Sequence, residues 1–405
     1  MKIIRFARSH PRGTIFFLFL LALILRLGWL GFFEGRFTAA DTDDYTDIAV
    51  NILQGKGYGY EGGPTAFVVP LYPFFLTGIF GLFGENLLAV QLVQMLLSAL
   101  TVVLVYLIAR RLFDPSAGVI AALIAAVHPW LIFWSGYVLT ETLFVFLLTA
   151  AILAYVYLVK KPSLWKALGS GILLGLSALC RPVGLQVALA LIFVWLLLAP
   201  KSSRRWPVLG ILLVSMSLIL SPWIIRNYLV FHKFVPVSSA SGAVLYLGNN
   251  PKATILANDM PDPLFPPGMD EIESSYYLQK LALKYIIENP GRFFVLALKR
   301  LYYYWSPEFP TYSIKHKVFN CLLYLPLYLA ALWGLFSLRQ WRQVLLFLAI
   351  FGVFTLVHMI TIVDWDQRYR LPLQPFLAVL AGAGVAQVIR RLQARSDLPE
   401  SERTR

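Results

Sequence analysis

The stretch Phe37-Thr-Ala-Ala-Asp-Thr-Asp-Asp-Tyr-Thr-Asp-Ile-Ala-Val-Asn-Ile-Leu-Gln-Gly55 follows the first long apolar segment of the chain. From Tyr45 to Leu53 its apolar residues recur at helical spacing, which predicts a short amphipathic helix. Asp41 or Asp43 would lie at the N-cap of this helix. On a membrane surface the helix would hold its carboxylates at the rim of a cavity, although capping and solvation alone could also account for them.

Composition places the chain among helical membrane proteins. It has 405 residues, of which 59% are hydrophobic and 14% charged, and its mean hydropathy is +0.69. Runs of about 20 apolar residues recur throughout, which is typical of a polytopic membrane protein and excludes an ordinary soluble enzyme. The net charge of +14 must therefore be interpreted by position, and no nucleic-acid partner is predicted. Cys180 and Cys321 lie in or beside apolar segments and imply neither a disulfide framework nor a metal cluster.

The apolar runs predict an all-α polytopic fold of about ten transmembrane helices. The predicted spans are at about 14–33, 86–108, 116–136, 141–159, 165–181, 184–200, 206–225, 318–337, 343–362 and 372–389. The apolar segment Leu71 to Phe83 is too short to cross a core of about 30 Å, so we predict a second interfacial or re-entrant helix there. Pro290 to Trp305 is aromatic and basic, which predicts a third one.

The basic turns between spans define a predicted orientation. The turns at 110–111, 160–161, 201–205, 339–342 and 390–395 all fall on the side of the N-terminus. Because basic loops stay in the cytoplasm, this side is predicted to be cytoplasmic, including the tail 390–405. The first outer loop (35–85) and a small outer cap (228–316) would then lie outside, within a single membrane domain that covers 1–405. We expect a multi-pass protein of the plasma (inner) membrane, with its active site on the periplasmic or extracellular face.

Charged residues gather at the predicted outer ends of several spans. Besides the aspartates of the first loop, these are Glu141, Arg181, Arg226, Arg368 and Arg370. Each arginine alone could be an interfacial anchor. Together, cations that hold a phosphate and carboxylates that accept a proton suit group transfer from a lipid-linked phosphate.

An ordered set of motifs runs from the first span to the last. Its members are Asp41-Thr-Asp-Asp-Tyr45, Ile48-Ala49, Gly57, Pro70-Leu-Tyr-Pro73, Thr140-Glu141, Arg181-Pro182, Pro222-Trp-Ile-Ile-Arg-Asn227, Gly248-Asn-Asn250 and Arg368-Tyr-Arg370. In these residues the chain resembles the GT-C class of membrane glycosyltransferases, in the protein mannosyltransferase and aminoarabinose lipid A transferase superfamily. The resemblance implies a polyprenyl-phosphate sugar donor, no cofactor, and an acceptor hydroxyl on a glycan, lipid or protein at the outer face.

The resemblance also implies roles for individual residues. Asp41 matches the catalytic carboxylate of the first loop, a general base for a single inverting displacement, and Asp43 and Asp44 would be secondary carboxylates. Glu141 matches the acidic position of the second loop. Tyr45, Tyr72, Asn249 and Asn250 would belong to the donor and acceptor loops. Some relatives have a phosphate-binding lysine where this chain has Val68 and Val69, so that role would pass to Arg181, Arg226, Arg368 or Arg370.

Three alternatives stay open at this point. Asp41-x-Asp43 could hold a divalent metal, although we favour a metal-free site. The chain could be an O-antigen ligase or polymerase that uses a diphosphate-linked donor. It could also be a transporter or flippase, for which charges near the bilayer midplane would be expected, and only Arg26 and His358 are candidates. The sugar, hexosyl or pentosyl, and the acceptor are not encoded in a transferable motif.

Overall fold

Apolar helices dominate the computed structural model of the chain, which describes residues 10–32, 41–198, 205–255, 265–338, 341–363 and 366–396. The helices are α1 (Pro11–Phe32), α2 (Asp41–Leu53), α3 (Leu71–Phe83), α4 (Leu87–Leu112), α5 (Pro115–Val127), α6 (Pro129–Phe133), α7 (Thr140–Lys160), α8 (Leu164–Cys180), α9 (Val183–Leu198), α10 (Arg205–Phe231), α11 (Ala240–Gly248), α12 (Glu271–Glu288), α13 (Pro290–Trp305), α14 (Ile314–Phe336), α15 (Trp341–Ile360) and α16 (Gln374–Ser396). Short 3-10 helices span Trp134–Gly136 and Arg368–Leu373, and a two-residue hairpin pairs β1 (Gly59–Tyr60) with β2 (Gly63–Pro64). The all-α polytopic fold class is confirmed.

Among the described residues, seven helical segments are long and apolar enough to cross a membrane: α1, α4, α7, α10, α14, α15, and α16 with the 3-10 helix before it. The bent pair α5–α6 can form an eighth. The remaining two predicted spans correspond to α8 and α9, which are apolar but have 17 and 16 residues. At about 1.5 Å per residue these two are short for a core of about 30 Å, so the count of ten spans stays a prediction.

The third predicted span is not continuous, which corrects the expectation for 116–136. α5 ends at Val127, α6 begins at Pro129, and the two segments are bent by 59°. His128 between them is extended, with φ −65° and ψ 114°. The cause is Pro129, because proline has no amide N–H to continue the helix and disfavours helical geometry in the residue before it.

One polar face of α4 supports the chain after this break. The side chain of Gln91 donates to the carbonyl of Gly136 over 2.8 Å, and that of Gln94 to the carbonyl of Tyr137 over 2.5 Å. Ser98 donates to the carbonyl of Leu131 over 3.3 Å. Lipid cannot satisfy backbone groups, so irregular backbone at membrane depth needs such protein donors. The segment that leads into α7 is therefore held on α4.

Arg26 of α1 contributes to the same support. Its side chain is fully buried, Nε donates to Ser98 over 2.7 Å, and Nη1 donates to the carbonyl of Ala126 at the end of α5 over 3.3 Å. A buried cation at this depth is costly unless it is hydrogen-bonded. Arg26 thus has a structural use at the break and gives no support to the transporter alternative.

The predicted helices of the first outer loop are present as α2 and α3. They pack together, with the rings of Tyr45 and Tyr72 edge-to-face at 5.1 Å. Glu271, in the first turn of α12, accepts hydrogen bonds from Thr65 Oγ1 over 2.6 Å and from the amide of Ala66 over 2.9 Å. The carboxylate of Glu271 therefore helps to fasten the predicted cap (α11 to α13) to the first loop.

Candidate functional site

Two arginines share the carboxylate of Glu141. Glu141 lies in the first turn of α7 and is buried, and its Oε1 accepts a hydrogen bond from Arg181 Nη1 over 2.5 Å. Arg368 Nε lies 3.7 Å from the same oxygen and 3.7 Å from Asp366 Oδ2. The Arg181 and Arg368 side chains are each 18% exposed. Both arginine side chains are therefore paired with carboxylates and remain partly exposed.

Helix ends explain this arrangement. Glu141 is at the N-terminus of α7, where the helix dipole stabilises a negative charge. Arg181 follows α8 directly in an extended conformation, and its amide still bonds to the carbonyl of Ser177. Arg368 begins the 3-10 helix after Gln367, whose φ is +63°. The cluster thus combines residues from three sequence-distant turns.

The electrostatic environment keeps Arg181 charged. Burial alone lowers the pKa of Arg181, but the carboxylate of Glu141 and the hydroxyl of Tyr369 raise the pKa above its usual value on balance. A permanently charged guanidinium with a planar set of donors suits an anionic oxygen ligand such as a phosphate.

An aromatic stack lies beneath the two arginines. The ring of Tyr369 is 5.7 Å from the Arg181 guanidinium and 5.8 Å from that of Arg368. The ring of Tyr369 also stacks on the ring of His358 in α15, with 4.6 Å between the ring centres. His358 in turn stacks on Tyr304 of α13, with 5.2 Å between the ring centres. His358 is therefore packed between two tyrosines, and its Nδ1 lies 3.1 Å from the carbonyl oxygen of Ile362.

The start of α2 lies beside this cluster. Thr42 Oγ1 donates to the carbonyl of Val138 over 3.3 Å, and Val138 precedes Glu141 by only three residues. Asp41 is the first residue of α2, but its side chain lies outside the described residues. Its assignment as the general base stays a prediction. The position of the α2 backbone beside Val138 is compatible with that prediction.

The neighbouring aspartates face outward. Asp43 and Asp44 are both exposed. Asp44 hydrogen-bonds the side chain of Tyr60 in the hairpin, and burial together with this carboxylate raises the pKa of Tyr60 above its usual value. Asp44 therefore has a structural partner that would compete with a catalytic use.

Tyr72 and Gln94 connect the first loop to the segment before Glu141. Tyr72 is fully buried, and its hydroxyl donates to Gln94 Oε1 over 2.8 Å, while the amide nitrogen of Gln94 donates to Tyr137. Tyr72 thus has a positioning role in this structure, with Tyr45 packed on its ring. Sequence analysis missed Gln94, although polar residues three and four apart in an apolar span were a usable signal.

Gln94→Leu is expected to reduce thermal stability and to lower at least tenfold any turnover that depends on the Glu141 cluster. The substitution removes the hydrogen bonds of the amide and leaves the buried hydroxyl of Tyr72 without its acceptor, at about 1–3 kcal/mol for a buried group. A matched control is Thr149→Val, because Thr149 is also buried but bonds only to its own helix. Equal turnover in these two variants would contradict the positioning role.

Two of the four predicted phosphate-binding arginines lie elsewhere. Arg226 donates to the carbonyls of Thr65 over 2.7 Å and Tyr58 over 2.6 Å, so it fastens the first loop to α10. Arg370 is buried and donates to Tyr328 Oη over 2.8 Å and to Gln367 Oε1 over 2.6 Å.

The 3-10 helix explains why Arg368 and Arg370 separate. With about three residues per turn, residues two apart point to different sides. Arg368 therefore reaches Glu141, whereas Arg370 enters the interior and lies 4.2 Å from the centre of the Tyr324 ring. Of the four arginines, the structure brings together Arg181 and Arg368.

Asn249 and Asn250 directly follow α11. Asn249 Nδ2 donates to the carbonyl of Ile360 over 2.9 Å, and Asn250 Nδ2 donates to that of Tyr246 over 2.9 Å. Both side chains are buried. A Cβ on the adjacent Gly248 would lie 2.0 Å from the carbonyl oxygen of Thr361, so glycine permits this close approach. The motif joins α11 to the end of α15.

Within the described part of the chain, no group of three or more His, Cys, Asp and Glu side chains could hold a metal. The Asp41 side chain and Asp364 lie outside that part. Metal dependence therefore stays untested.

Comparisons with known proteins identify one family and several solved structures. Residues 65–225 match the family described as dolichyl-phosphate-mannose-protein mannosyltransferase. No curated protein matches the sequence. The archaeal oligosaccharyltransferase AglB from Archaeoglobus fulgidus, in complex with an inhibitory peptide and a dolichol-phosphate, is 14% identical with a TM-score of 0.60, and the match covers 96% of this chain and 51% of that one. The Archaeoglobus fulgidus oligosaccharyltransferase in the apo form is 14% identical with a TM-score of 0.61, and the match covers 94% of this chain and 50% of that one.

A bacterial structure is also similar in part. ArnT from Cupriavidus metallidurans, bound to undecaprenyl phosphate, is 15% identical with a TM-score of 0.47, over 96% of this chain and 81% of that one. The chain spans about half the length of the archaeal oligosaccharyltransferases that it matches.

Proposed function

We propose that this chain, which has the GT-C fold of membrane glycosyltransferases, transfers a sugar from a polyprenyl-phosphate donor to an acceptor hydroxyl at the outer face of the membrane. The observation that carries the proposal is the cluster of Glu141, Arg181 and Arg368, in which two partly exposed arginine side chains converge on one buried carboxylate. The matched family region, 65–225, includes Glu141 and Arg181. The dolichol-phosphate bound to the archaeal AglB further supports a lipid phosphate as ligand.

Arg181 and Arg368 are the proposed phosphate ligands. Both would donate charge-assisted hydrogen bonds to the phosphate oxygens, which stabilises the negative charge that develops as the lipid phosphate leaves. Glu141 would orient Arg181 and limit the repulsion between the two cations. The Tyr369 ring supports both guanidinium groups from one side.

Asp41 is the proposed general base. Its carboxylate would accept the proton of the acceptor hydroxyl while that oxygen attacks the anomeric carbon. The bond from the anomeric carbon to the phosphate oxygen breaks in the same step, polyprenyl phosphate leaves, and the configuration inverts. The hydrogen bond from Thr42 to Val138 supports this role, because it keeps the start of α2 beside the segment that leads to Glu141.

Arg368→Ala and Arg181→Ala are each expected to weaken donor binding about tenfold, since a charge-assisted contact contributes about 1.5–3 kcal/mol and solvent screens part of it. Binding of a polyprenyl-phosphate sugar to the purified protein in nanodiscs measures this effect. Lys284→Ala is the matched control, because Lys284 is a basic cap residue that is 69% exposed. Donor affinity that is equal in all three variants would remove the cluster from the donor site.

Sugar transfer itself tests the proposed function. The purified protein in liposomes would be incubated with radiolabelled polyprenyl-phosphate sugars, hexosyl and pentosyl, and with their diphosphate-linked counterparts. We expect label to be released from a monophosphate donor. Use of diphosphate donors alone would indicate the ligase or polymerase class, and movement of lipid-linked sugar across the bilayer without bond cleavage would indicate a flippase.

A further inference from the structure

A cavity of about 620 Å³ lies between α1, the break of the third span and the start of α14. Its lining residues are Trp29, Val127, Pro129, Trp130, Ile132, Phe133, Ser313, Lys315, His316 and Phe319. Small-molecule sites have volumes of about 300–1,000 Å³, so this cavity is large enough for a specific ligand. None of the residues of the Glu141 cluster belongs to its lining.

The walls of the cavity are aromatic and apolar. Phe133 lies 5.8 Å from Trp29 and 5.6 Å from Trp130, measured between ring centres. Phe319 is 45% exposed on the opposite wall. The walls thus provide a hydrocarbon environment.

The rim of the cavity is positive. Lys315 and His316 are exposed and occupy the first turn of the 23-residue helix α14, which Ser313 caps by accepting a hydrogen bond from the amide of His316. Among the described residues, none of the lining side chains is acidic. Because a helix N-terminus and a lysine both attract anions, the rim favours a negatively charged head group.

Size and position point to a lipid with fatty acyl chains. If one methylene group takes about 30 Å³, similar to one water molecule, the cavity holds about 20 carbon atoms, which corresponds to one acyl chain. α1 ends and α14 begins at this cavity, and both are long enough to cross a membrane. An amphiphile could therefore place its chain among the aromatic walls while its head group stays at the membrane interface.

We propose that this cavity is a binding site for an anionic phospholipid, with one acyl chain between Trp130 and Phe319 and the phosphate at Lys315. The site is distinct from the proposed donor site and exists because the third span is broken: the bend at Pro129 turns Trp130 and Phe133 toward α14 and opens a cleft. The ring of Phe133 lies 5.0 Å from that of Tyr137, so the lipid would lie against the segment that leads to Glu141.

Photolabelling tests the proposal without an assay of sugar transfer. The full chain in nanodiscs would receive trace phosphatidylglycerol with a diazirine in its acyl chain, or the same probe with a phosphatidylcholine head group. We expect phosphatidylglycerol to label peptides of α6 and α14 preferentially. Unlabelled phosphatidylglycerol should compete for this labelling, whereas glycerol phosphate should not, because it has no chain.

Lys315→Glu is expected to lower the phosphatidylglycerol labelling of α14 roughly threefold to tenfold, as expected for one partly screened contact to phosphate. The matched control is Lys317→Glu, which makes the same charge change on α14 at a residue that does not line the cavity. Both residues lie in the first two turns of α14, and a thermal unfolding curve would check that each variant is folded. Three results would overturn the proposal: equal labelling by both head groups, equal loss in both variants, or no labelling of α6 and α14.

Discussion

Asp41→Asn is expected to fold, to bind the lipid donor and to transfer almost no sugar. A sugar hydroxyl is a poor nucleophile at neutral pH, and a positioned carboxylate that accepts its proton contributes about 10²–10⁴ in rate. Asparagine keeps the shape of the side chain and a hydrogen-bonding group but cannot accept the proton. The helix dipole at the start of α2 would stabilise the ionised form of Asp41 in the wild type.

Asp43→Asn and Asp44→Asn are the matched controls. Both side chains are exposed, and Asp44 is hydrogen-bonded to Tyr60. We expect milder losses of transfer in these variants. A single-turnover assay with donor bound in advance isolates the chemical step from donor binding. Near-normal turnover in Asp41→Asn, or a deeper loss in either control, would exclude Asp41 as the base.

Glu141→Gln is expected to lower both transfer and thermal stability. Removing one partner of a buried ion pair typically costs about 3–5 kcal/mol, because the other charge stays buried without compensation. The cost should be nearer about 1–3 kcal/mol here, since glutamine can still accept a hydrogen bond from Arg181, whose side chain is 18% exposed. Arg181 and Arg368 would then repel each other and lose their fixed geometry. We expect transfer to fall about 100-fold, in the range seen when a group that stabilises transition-state charge is removed.

Glu273→Gln provides the comparison for Glu141→Gln. Glu273 also pairs with a cation, Lys233, over 2.9 Å, but its side chain is 46% exposed. Because solvent screens an exposed pair, this variant should unfold and turn over like the wild type. Thermal unfolding and single-turnover transfer measure the two effects. If Glu141→Gln matches Glu273→Gln in both thermal unfolding and single-turnover transfer, Glu141 does not hold Arg181 and Arg368 in place.

Most of the helices could be predicted because apolar runs of span length have few other stable states in lipid. The short helix α3, Leu71–Phe83, was predicted from its length alone. The bend at Pro129 was not, because the hydropathy of 116–136 is continuous across it. A proline in a span can either kink or break the helix, and the outcome depends on donors from other helices, here Gln91, Gln94 and Ser98.

The site was predictable as a set of charges at the outer ends of spans but not as a geometry. Glu141, Arg181 and Arg368 were predicted to lie on one side because each is at a turn there, and the structure brings the three together. Arg226 and Arg370 lie at similar turns, yet Arg226 donates a hydrogen bond to the carbonyl of Thr65 and Arg370 donates one to the hydroxyl of Tyr328. Which way a side chain points in a 3-10 helix, or which backbone carbonyl lies opposite it, follows from tertiary packing that one sequence does not reveal.

The stack of Tyr304, His358 and Tyr369 limits which segments of this protein can be exchanged for those of another protein. One ring comes from α13 in the cap, one from α15 in the membrane region, and one from the turn that carries Arg368. A chimera that receives the cap of another protein would lose the ring of Tyr304 and, with it, the hydrogen bond from its hydroxyl to the Tyr369 carbonyl over 3.3 Å. The cap is therefore not an interchangeable module, and grafting it to change acceptor choice would require matching rings at positions 358 and 369.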